Sequence, residues 1–327
     1  MFFRGLNIIL IVLILFSCEN EIDVIDEVES KPVIYSLLNL HDTVYSVSLT
    51  RTFIEEENAY LLAKNPGAVF YPSANIRLDG LVGDSSIWST SFYKTDVRKD
   101  EGIFPSEPGY LYYSDSVITD FDENGLLGGY IETFRLSIHI PSHNISASAK
   151  RPYCLPGGIA SPLDGRTVSL FDRKEFTIIC GSIEGYRQLS FRVRYIEKLK
   201  DIEEPIEQEI EYMVRKNMPS DKYVLIPGDF FLNKLARNIP LVDNLQFRRF
   251  IDFDIIFFST DEAFLTYITT NTYTNDMIRP DWSNIENGIG IFSLISIDEK
   301  SRLKLDQRSR DSIAFSPITS KLKFVNW

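Results

Sequence analysis

Residues 133–140 read TFRLSIHI, and this stretch indicates the fold class most clearly. Apolar residues alternate with polar or charged ones along it: Phe134, Leu136, Ile138 and Ile140 against Arg135, Ser137 and His139. A period of two with one apolar face predicts a half-buried β-strand. Residues 144–150 (NISASAK) follow the turn residues Pro141-Ser142-His143 and predict a second strand, so the two form a hairpin.

Two more strand pairs are predicted upstream of this hairpin. Their members are 32–38 (PVIYSLL) with 43–53 (TVYSVSLTRTF), and 74–82 with 86–93. Asn39-Leu40-His41-Asp42 and Gly83-Asp84 supply the turns. Short strands at regular spacing predict an immunoglobulin-like β-sandwich domain over residues 31–150.

Residues 151–166 contain three prolines and three glycines, and this composition predicts a linker. We expect residues 167–327 to form a β-rich C-terminal domain with short helices. Its alternating stretches 189–195 and 206–214 would pair, with arginines facing glutamates across the ladder.

Two helices and one long strand are expected further along the C-terminal part. One helix would begin with Asp229 as N-cap and end near Arg237, and the other would follow the capping-box spacing of residues 259–262. The apolar stretch 247–258 predicts a strand that carries Asp252 and Asp254 on its solvent face.

The N-terminus is typical of a lipoprotein signal peptide over residues 1–17. Arg4 precedes an apolar run that is about half the ~20 residues a transmembrane helix needs. Leu15-Phe16-Ser17-Cys18 resembles a lipobox, which implies cleavage before Cys18 and fatty chains on its thiol. An ordinary signal peptide with a coincidental cysteine is the alternative.

Residues 18–30 predict a lipidated acidic tether, because six of residues 19–30 are acidic and none is basic. Such acidic residues after the cysteine resemble the export signal of surface lipoproteins in Bacteroidota-type bacteria. We therefore expect a lipid-anchored protein of the outer membrane, with its surface face as one option. The net charge of −12 and the lack of a basic stripe predict no binding of nucleic acid.

Two stretches together resemble a family of Bacteroidota lipoproteins catalogued as domain-of-unknown-function 4249. The first is Lys31–Leu38 with Asp42-Thr43-Val44 and Arg51-Thr52-Phe53, and the second is Trp282–Phe292. The resemblance implies an exported, two-part, mainly β protein, often encoded beside a TonB-dependent outer-membrane receptor. Such a receptor is therefore an expected partner, and the resemblance brings no catalytic residues.

Few residue patterns in the chain predict a metal site or a disulfide. Asp120, Asp122 and Asn124 match the first half of a calcium loop, but the bidentate glutamate expected at its end is displaced by one residue. His139 and His143 have a spacing that zinc uses on helices, here interrupted by Pro141. Cys154 and Cys180 would form a disulfide or remain two separate thiols.

Patterns for catalysis are also weak. Gly288 and Gly290 lack the third glycine of a phosphate loop and predict a close approach of two backbones instead. No nucleophile motif or single pair of carboxylates stands out. We therefore expect a non-enzymatic protein without a cofactor that binds a ligand or assists a receptor. The alternatives are an exported hydrolase acting on polysaccharide or peptide, and a structural envelope component.

Overall fold

The computed structural model describes residues 30–52, 59–98, 109–119, 131–153, 157–181, 185–218, 221–271 and 282–326. Within these residues the chain is mainly β with a few short helices, as the sequence predicts. None of the helices in the described ranges has the length and apolar character needed to span a membrane.

The strands are numbered in chain order. They are β1 (Pro32–Asn39), β2 (Ser46–Arg51), β3 (Asn75–Val82), β4 (Ser85–Val97), β5 (Gly109–Ser114), β6 (Thr133–Ile140), β7 (Ile145–Pro152), β8 (Ile159–Ser161), β9 (Thr167–Val168), β10 (Glu175–Cys180), β11 (Arg187–Leu199), β12 (Ile206–Arg215), β13 (Tyr223–Pro227), β14 (Leu245–Thr260) and β15 (Ile289–Leu305).

Five α-helices lie in the described ranges. They are α1 (Ala59–Leu62), α2 (Pro66–Val69), α3 (Gly228–Asn238), α4 (Glu262–Thr270) and α5 (Gln307–Phe315). Single 3₁₀ turns cover Pro141–His143 and Ser320–Leu322.

One large sheet contains most of the strands, in the order β12-β11-β14-β15-β1-β2-β5-β4-β3-β6-β7, with β9 also paired to β15. Neighbours along it are antiparallel except for β1 with β15 and β9 with β15, which are parallel. The hairpins expected for β1–β2, β3–β4 and β6–β7 are all confirmed, as is the pairing of β11 with β12. A separate small sheet has the order β13-β10-β8.

The N-terminal part of the large sheet curls around its own core. β7 is the final strand in the sheet order, and an isolated bridge between its Ser148 and Glu286 places it next to the start of β15. Inward side chains from successive strands fill the space between the layers, among them Ile34, Leu136 and Phe292. The layers of the predicted sandwich are thus joined in one continuous ladder.

The strand β15 belongs to both halves of the molecule. Its Phe292 and Leu294 lie in the N-terminal core, whereas Leu303 and Leu305 lie in the C-terminal core. Residues 285–294 therefore pack with the N-terminal half, although they follow the predicted linker at residues 151–166 in the chain. Part of the expected linker is also regular structure, since β7 continues to Pro152 and β8 begins at Ile159.

Gly290 allows β15 to lie against β1. It has a φ of +120°, and a Cβ added there would lie 1.9 Å from the carbonyl oxygen of Ile34. Only glycine fits such a close approach with this backbone conformation. The close backbone contact predicted for the Gly288–Gly290 stretch is confirmed.

The C-terminal core lies between the β11–β14–β15 part of the large sheet, the small sheet and α3. Phe191, Phe253 and Phe231 meet there with ring centroids 5.3 to 6.2 Å apart. Helix α3 contributes Phe231, Leu232 and Leu235 from one face. It begins with Pro227 as N-cap rather than Asp229, whose carboxylate lies in the first turn.

Candidate functional site

A groove of about 780 Å³ crosses the outer face of β3, β4, β6 and β7. Its volume lies within the ~300–1,000 Å³ typical of ligand sites. Hydroxyl, amide and basic side chains line it together with a tyrosine. Among the described residues that line it, none is an aspartate or a glutamate.

Strand register places the polar groups of the groove in two rows. Arg77 pairs with Ser91 on one side and with Ser137 on the other, and Ser137 pairs with Ser148. The next row contains Asn75, His139 and Ser146, which are also neighbours in register. Small side chains between the longer ones leave the space that forms the groove.

Tyr93 supplies the aromatic surface of the groove. Its side chain is 60% exposed on β4, although large aromatic side chains usually bury most of their area. Because the phenol has an apolar ring and a polar hydroxyl, it can stack against a ligand ring and hydrogen-bond at its edge.

A second cavity of about 520 Å³ continues the groove towards the start of β1. The two cavities share Ser146 and Asn287, and the second also reaches Lys31 and Gly288. The combined groove therefore runs from β4 to Ser30, Lys31 and Pro32 at the start of β1.

Several groups in the groove are held by their neighbours. Arg77 donates from Nε to Asp79 at 2.7 Å, and His139 Nδ1 lies 3.1 Å from the hydroxyl oxygen of Ser146. The hydroxyl of Ser148 donates to Glu286 at 2.9 Å. These contacts fix the side chains before any ligand arrives, which lowers the entropy cost of binding.

Lys94 is the least solvated basic group of the groove. Its amine donates to the carbonyls of Tyr71 and Pro72 at 3.1 and 3.2 Å, and lies 3.7 Å from the ring centroid of Tyr110. Desolvation lowers the pKa of Lys94 below its usual value, and the charge of Asp96 opposes this only in part. Lys94 is thus committed to the structure around the groove.

The predicted charge ladder is present on another face. Arg192 pairs with Glu211 at 3.1 Å, and Arg194 lies 3.6 Å from Glu209. The expectation that Asp252 and Asp254 face solvent is wrong: both carboxylates are buried beneath these arginines. An apolar strand can bury an acid where a neighbouring strand supplies a guanidinium in register, and Arg194 pairs with Asp252 in the β11–β14 ladder.

Asp254 is the most buried carboxylate of this cluster. Burial alone would raise its pKa, but hydrogen bonds from Arg194 and from the backbone N–H of Arg302, with the charge of Arg192, bring the pKa below its ordinary value. Arg194 in turn has a raised pKa, chiefly through its hydrogen bond to Asp254. These carboxylates are held as ion pairs, an arrangement that serves structure.

The other residues singled out from the sequence do not meet at one site. Cys18, Asp120, Asp122, Asn124 and Cys154 lie outside the described residues. His139 contacts Ser146, whereas the Nε2 of His143 lies 3.5 Å from Arg51, so the two imidazoles have separate partners. The described part of the chain contains no group of three or more potential metal-ligating His, Cys, Asp or Glu residues.

Cys180 is a free, buried thiol, and Cys154, the partner considered for it, lies outside the described residues. Desolvation raises the pKa of Cys180 to about 11, although the nearby charge and hydrogen bond of Arg187 act in the opposite direction. The side chain ends β10 inside the C-terminal core, which explains why it acts as a small apolar residue.

A smaller aromatic cluster lies where the two halves meet. Tyr35 on β1 and Tyr267 on α4 contact edge to face, and their hydroxyl oxygens are 3.1 Å apart. Trp282 packs on the other side of Tyr267, with ring centroids 6.4 Å apart. The sequence showed these aromatics but could not show that β1 and α4 are neighbours.

Comparisons with known proteins provide no family or activity. No family model matches the chain, and no curated protein matches it significantly. One solved structure, described as "Structural basis for Dscam isoform specificity", is 12% identical with a TM-score of 0.16. The match covers 85% of this chain and 47% of the other, so this chain spans about half the length of that protein. This likeness is too slight to support a shared fold or function.

The groove itself was missed in the sequence. The sequence relates His139 to His143 by spacing, and its alternation places Ser137 opposite the apolar face of the strand, but neither pattern predicts a groove. Alternation predicted which side chains point outward. The strand order β4-β3-β6-β7, which places them in rows, came only from the fold.

Proposed function

We propose that the chain is an exported, lipid-anchored binding protein whose groove holds an extended, hydroxyl-rich ligand, namely a saccharide. The observation that carries this proposal is the lining of the groove. Rows of hydroxyl and amide groups flank an exposed Tyr93, and no carboxylate lies among the described lining residues. Hydroxyls and amides both donate and accept hydrogen bonds, as a polyhydroxylated ligand requires.

The same lining argues for binding rather than hydrolysis. A glycosidase uses two carboxyl groups about 5–9.5 Å apart around the scissile bond. Asp252 and Asp254, the carboxylate pair noted in the sequence, are instead bonded to arginines away from the groove. This favours the non-enzymatic role for the part of the chain that the structure describes.

The anchor and the partner of the proposal come from the sequence. Cys18 after an apolar leader supports acylation, and the family resemblance supports a TonB-dependent outer-membrane receptor as partner. Incorporation of labelled palmitate, lost in Cys18→Ala, tests the anchor. Retention of a receptor with the solubilised wild-type protein tests the partner.

The binding role is tested with the exported chain, residues 18–327, on an array of oligosaccharides. We expect Tyr93→Ala to lower the affinity for any saccharide retained, with an unchanged unfolding midpoint. Tyr223→Ala is the matched control, because Tyr223 is 59% exposed on β13, outside the groove. Equal effects of the two substitutions, or no retained saccharide at all, would contradict the proposal.

A further inference from the structure

The ionisable residues of the groove differ in sign from the chain as a whole. The chain has 46 aspartates and glutamates against 34 lysines and arginines. The groove and its continuation are lined by Arg77, Lys94, His139 and Lys31, with no acid among their described lining residues. A basic groove in an acidic protein concentrates a positive potential where a ligand would lie.

Arg77 is placed to use its charge on a ligand. Its partner Asp79 is buried and also accepts a hydrogen bond from Arg135 at 3.2 Å, so two guanidinium groups share one carboxylate. The side chain of Arg77 is 56% exposed, and within the described residues its hydrogen bond uses Nε alone. The two terminal nitrogens are the donors that bind an oxyanion in bidentate fashion.

His139 adds a polar ring beside Arg77, and its Nδ1 lies 3.1 Å from the hydroxyl oxygen of Ser146. The two residues are diagonal neighbours on the same face of β3 and β6, because Arg77 pairs with Ser137 and His139 follows two residues later. Such neighbours lie about 7–8 Å apart. Glu286, the acid held by Ser148, lies beyond β7 at the opposite end of this row.

The ligand must be recognised through these side chains. The groove crosses the face of β3 and β6, whose backbone groups are paired on both sides, and at β7 the isolated bridge between Ser148 and Glu286 occupies the outer edge. An extended peptide that binds by adding a strand requires a free sheet edge. The position of the groove therefore favours a saccharide over a peptide.

We propose that the ligand is an acidic saccharide, whose carboxylate or sulfate groups bind Arg77 and whose hydroxyls bind the neighbouring serines. This inference rests on the proposed function and specifies the ligand class of the same groove. A carboxylate and a sulfate each offer a pair of oxygens that a guanidinium can bind in bidentate fashion, and the experiment below separates the two groups.

The test compares matched acidic and neutral ligands by calorimetry with residues 18–327. One pair is an oligogalacturonate and its methyl ester, and the other is a sulfated galactan oligosaccharide (a carrageenan) and its desulfated form, which carries no charge. We expect at least one acidic member to bind about tenfold or more tightly than its neutral partner, which is ~1.4 kcal/mol. The advantage should shrink as salt is added, since exposed charges are screened.

Two variants locate the effect at the groove. Arg77→Gln should remove the preference for the acidic ligand while neutral binding persists, and Arg308→Gln, exposed on α5, should not. Ser91→Asp is a second variant that does not contact Asp79, and it should weaken acidic ligands alone, because it places a negative charge beside Arg77.

Each outcome has a separate meaning. Equal affinity for acidic and neutral saccharides would overturn the acidic ligand and leave the saccharide-binding role in place. Binding of poly-glutamate without any saccharide would overturn the ligand class. Binding of none of these probes would count against the proposed function itself.

Discussion

The Nε of Arg151 lies 2.9 Å from the Oδ2 of Asp261, and this ion pair joins β7 of the N-terminal half to α4 of the C-terminal half. Asp261 is buried and is also the N-cap of α4, accepting from the N–H of Phe264. It accepts further bonds from the hydroxyl of Ser293 at 2.6 Å and the N–H of Leu294 at 3.1 Å. One carboxylate thus connects a helix, β15 and the curled sheet.

We expect Asp261→Ala to destabilise the protein by about 3–5 kcal/mol, because it leaves a cation and several buried donors without their acceptor. Urea unfolding at pH 7 measures the loss. Glu262→Ala is the control, since Glu262 is exposed in the first turn of the same helix. Similar losses in the two variants would show that Asp261 acts only as part of the helix.

The buried pair Arg248–Glu197 gives a second prediction. Arg248 Nη2 lies 2.6 Å from Glu197, and Arg248 also donates to the carbonyls of Leu322 and Pro240. Removing the carboxylate of Glu197 leaves the buried charge of Arg248 without its partner. Glu197→Ala should therefore lower the free energy of unfolding by about 3–5 kcal/mol. Replacing both residues with apolar ones, Arg248→Met with Glu197→Leu, should cost less than the single substitution. A double variant that loses as much stability as Arg248→Met and Glu197→Leu lose together, when each is measured alone, would contradict this coupling.

Asp254 predicts a dependence of stability on pH. Its pKa is lowered in the folded protein from an ordinary value of 3.8, so its ionised form stabilises the fold above that pH. This contribution is lost as the pH falls through the folded-state pKa. Asp254→Asn should therefore lose about 3 kcal/mol at pH 7, and the difference from wild type should narrow below pH 3.8.

Urea unfolding of both proteins across this pH range provides the measurement. Asp243→Asn is the control, because Asp243 is exposed and has no ion pair with the described residues. A difference for Asp254→Asn that stayed constant from neutral to acid pH would argue against the charge as its cause.

We expect the buried thiol of Cys180 to react slowly with alkylating reagents. Burial raises its pKa to about 11, so almost no thiolate forms at pH 8. In a variant with Cys18→Ser and Cys154→Ser, Cys180 should resist alkylation in the native state and react quickly in denaturant. Rapid labelling of the folded variant, followed by mass spectrometry, would show that β10 opens or that the thiol is accessible.

The sequence predicted local structure well where one face is apolar. The hairpins β1–β2, β3–β4 and β6–β7 follow from alternation and turn residues, and so does the facing of Arg192 and Glu211 in β11–β12. These pairings join neighbours in the chain, so a turn and a period of two are sufficient to specify them.

Contacts between distant segments could not be predicted in the same way. The parallel pairing of β1 with β15 joins residues more than 250 positions apart, and only the glycine at 290 hinted at it. The burial of Asp252 and Asp254 depends on Arg192 and Arg194 arriving from another strand. The groove likewise depends on strand order, which a single sequence does not encode locally.

The parallel register of β1 with β15 also has a mechanical consequence. It runs without a break from Val33 opposite Ile289 to Asn39 opposite Ile295, while β2 holds the other edge of β1. A force applied at the N-terminal end of β1 and directed along the strand would load all these backbone bonds at once, in shear, instead of peeling them apart singly. The arrangement of β1 between β15 and β2 therefore resists a pull along the strand.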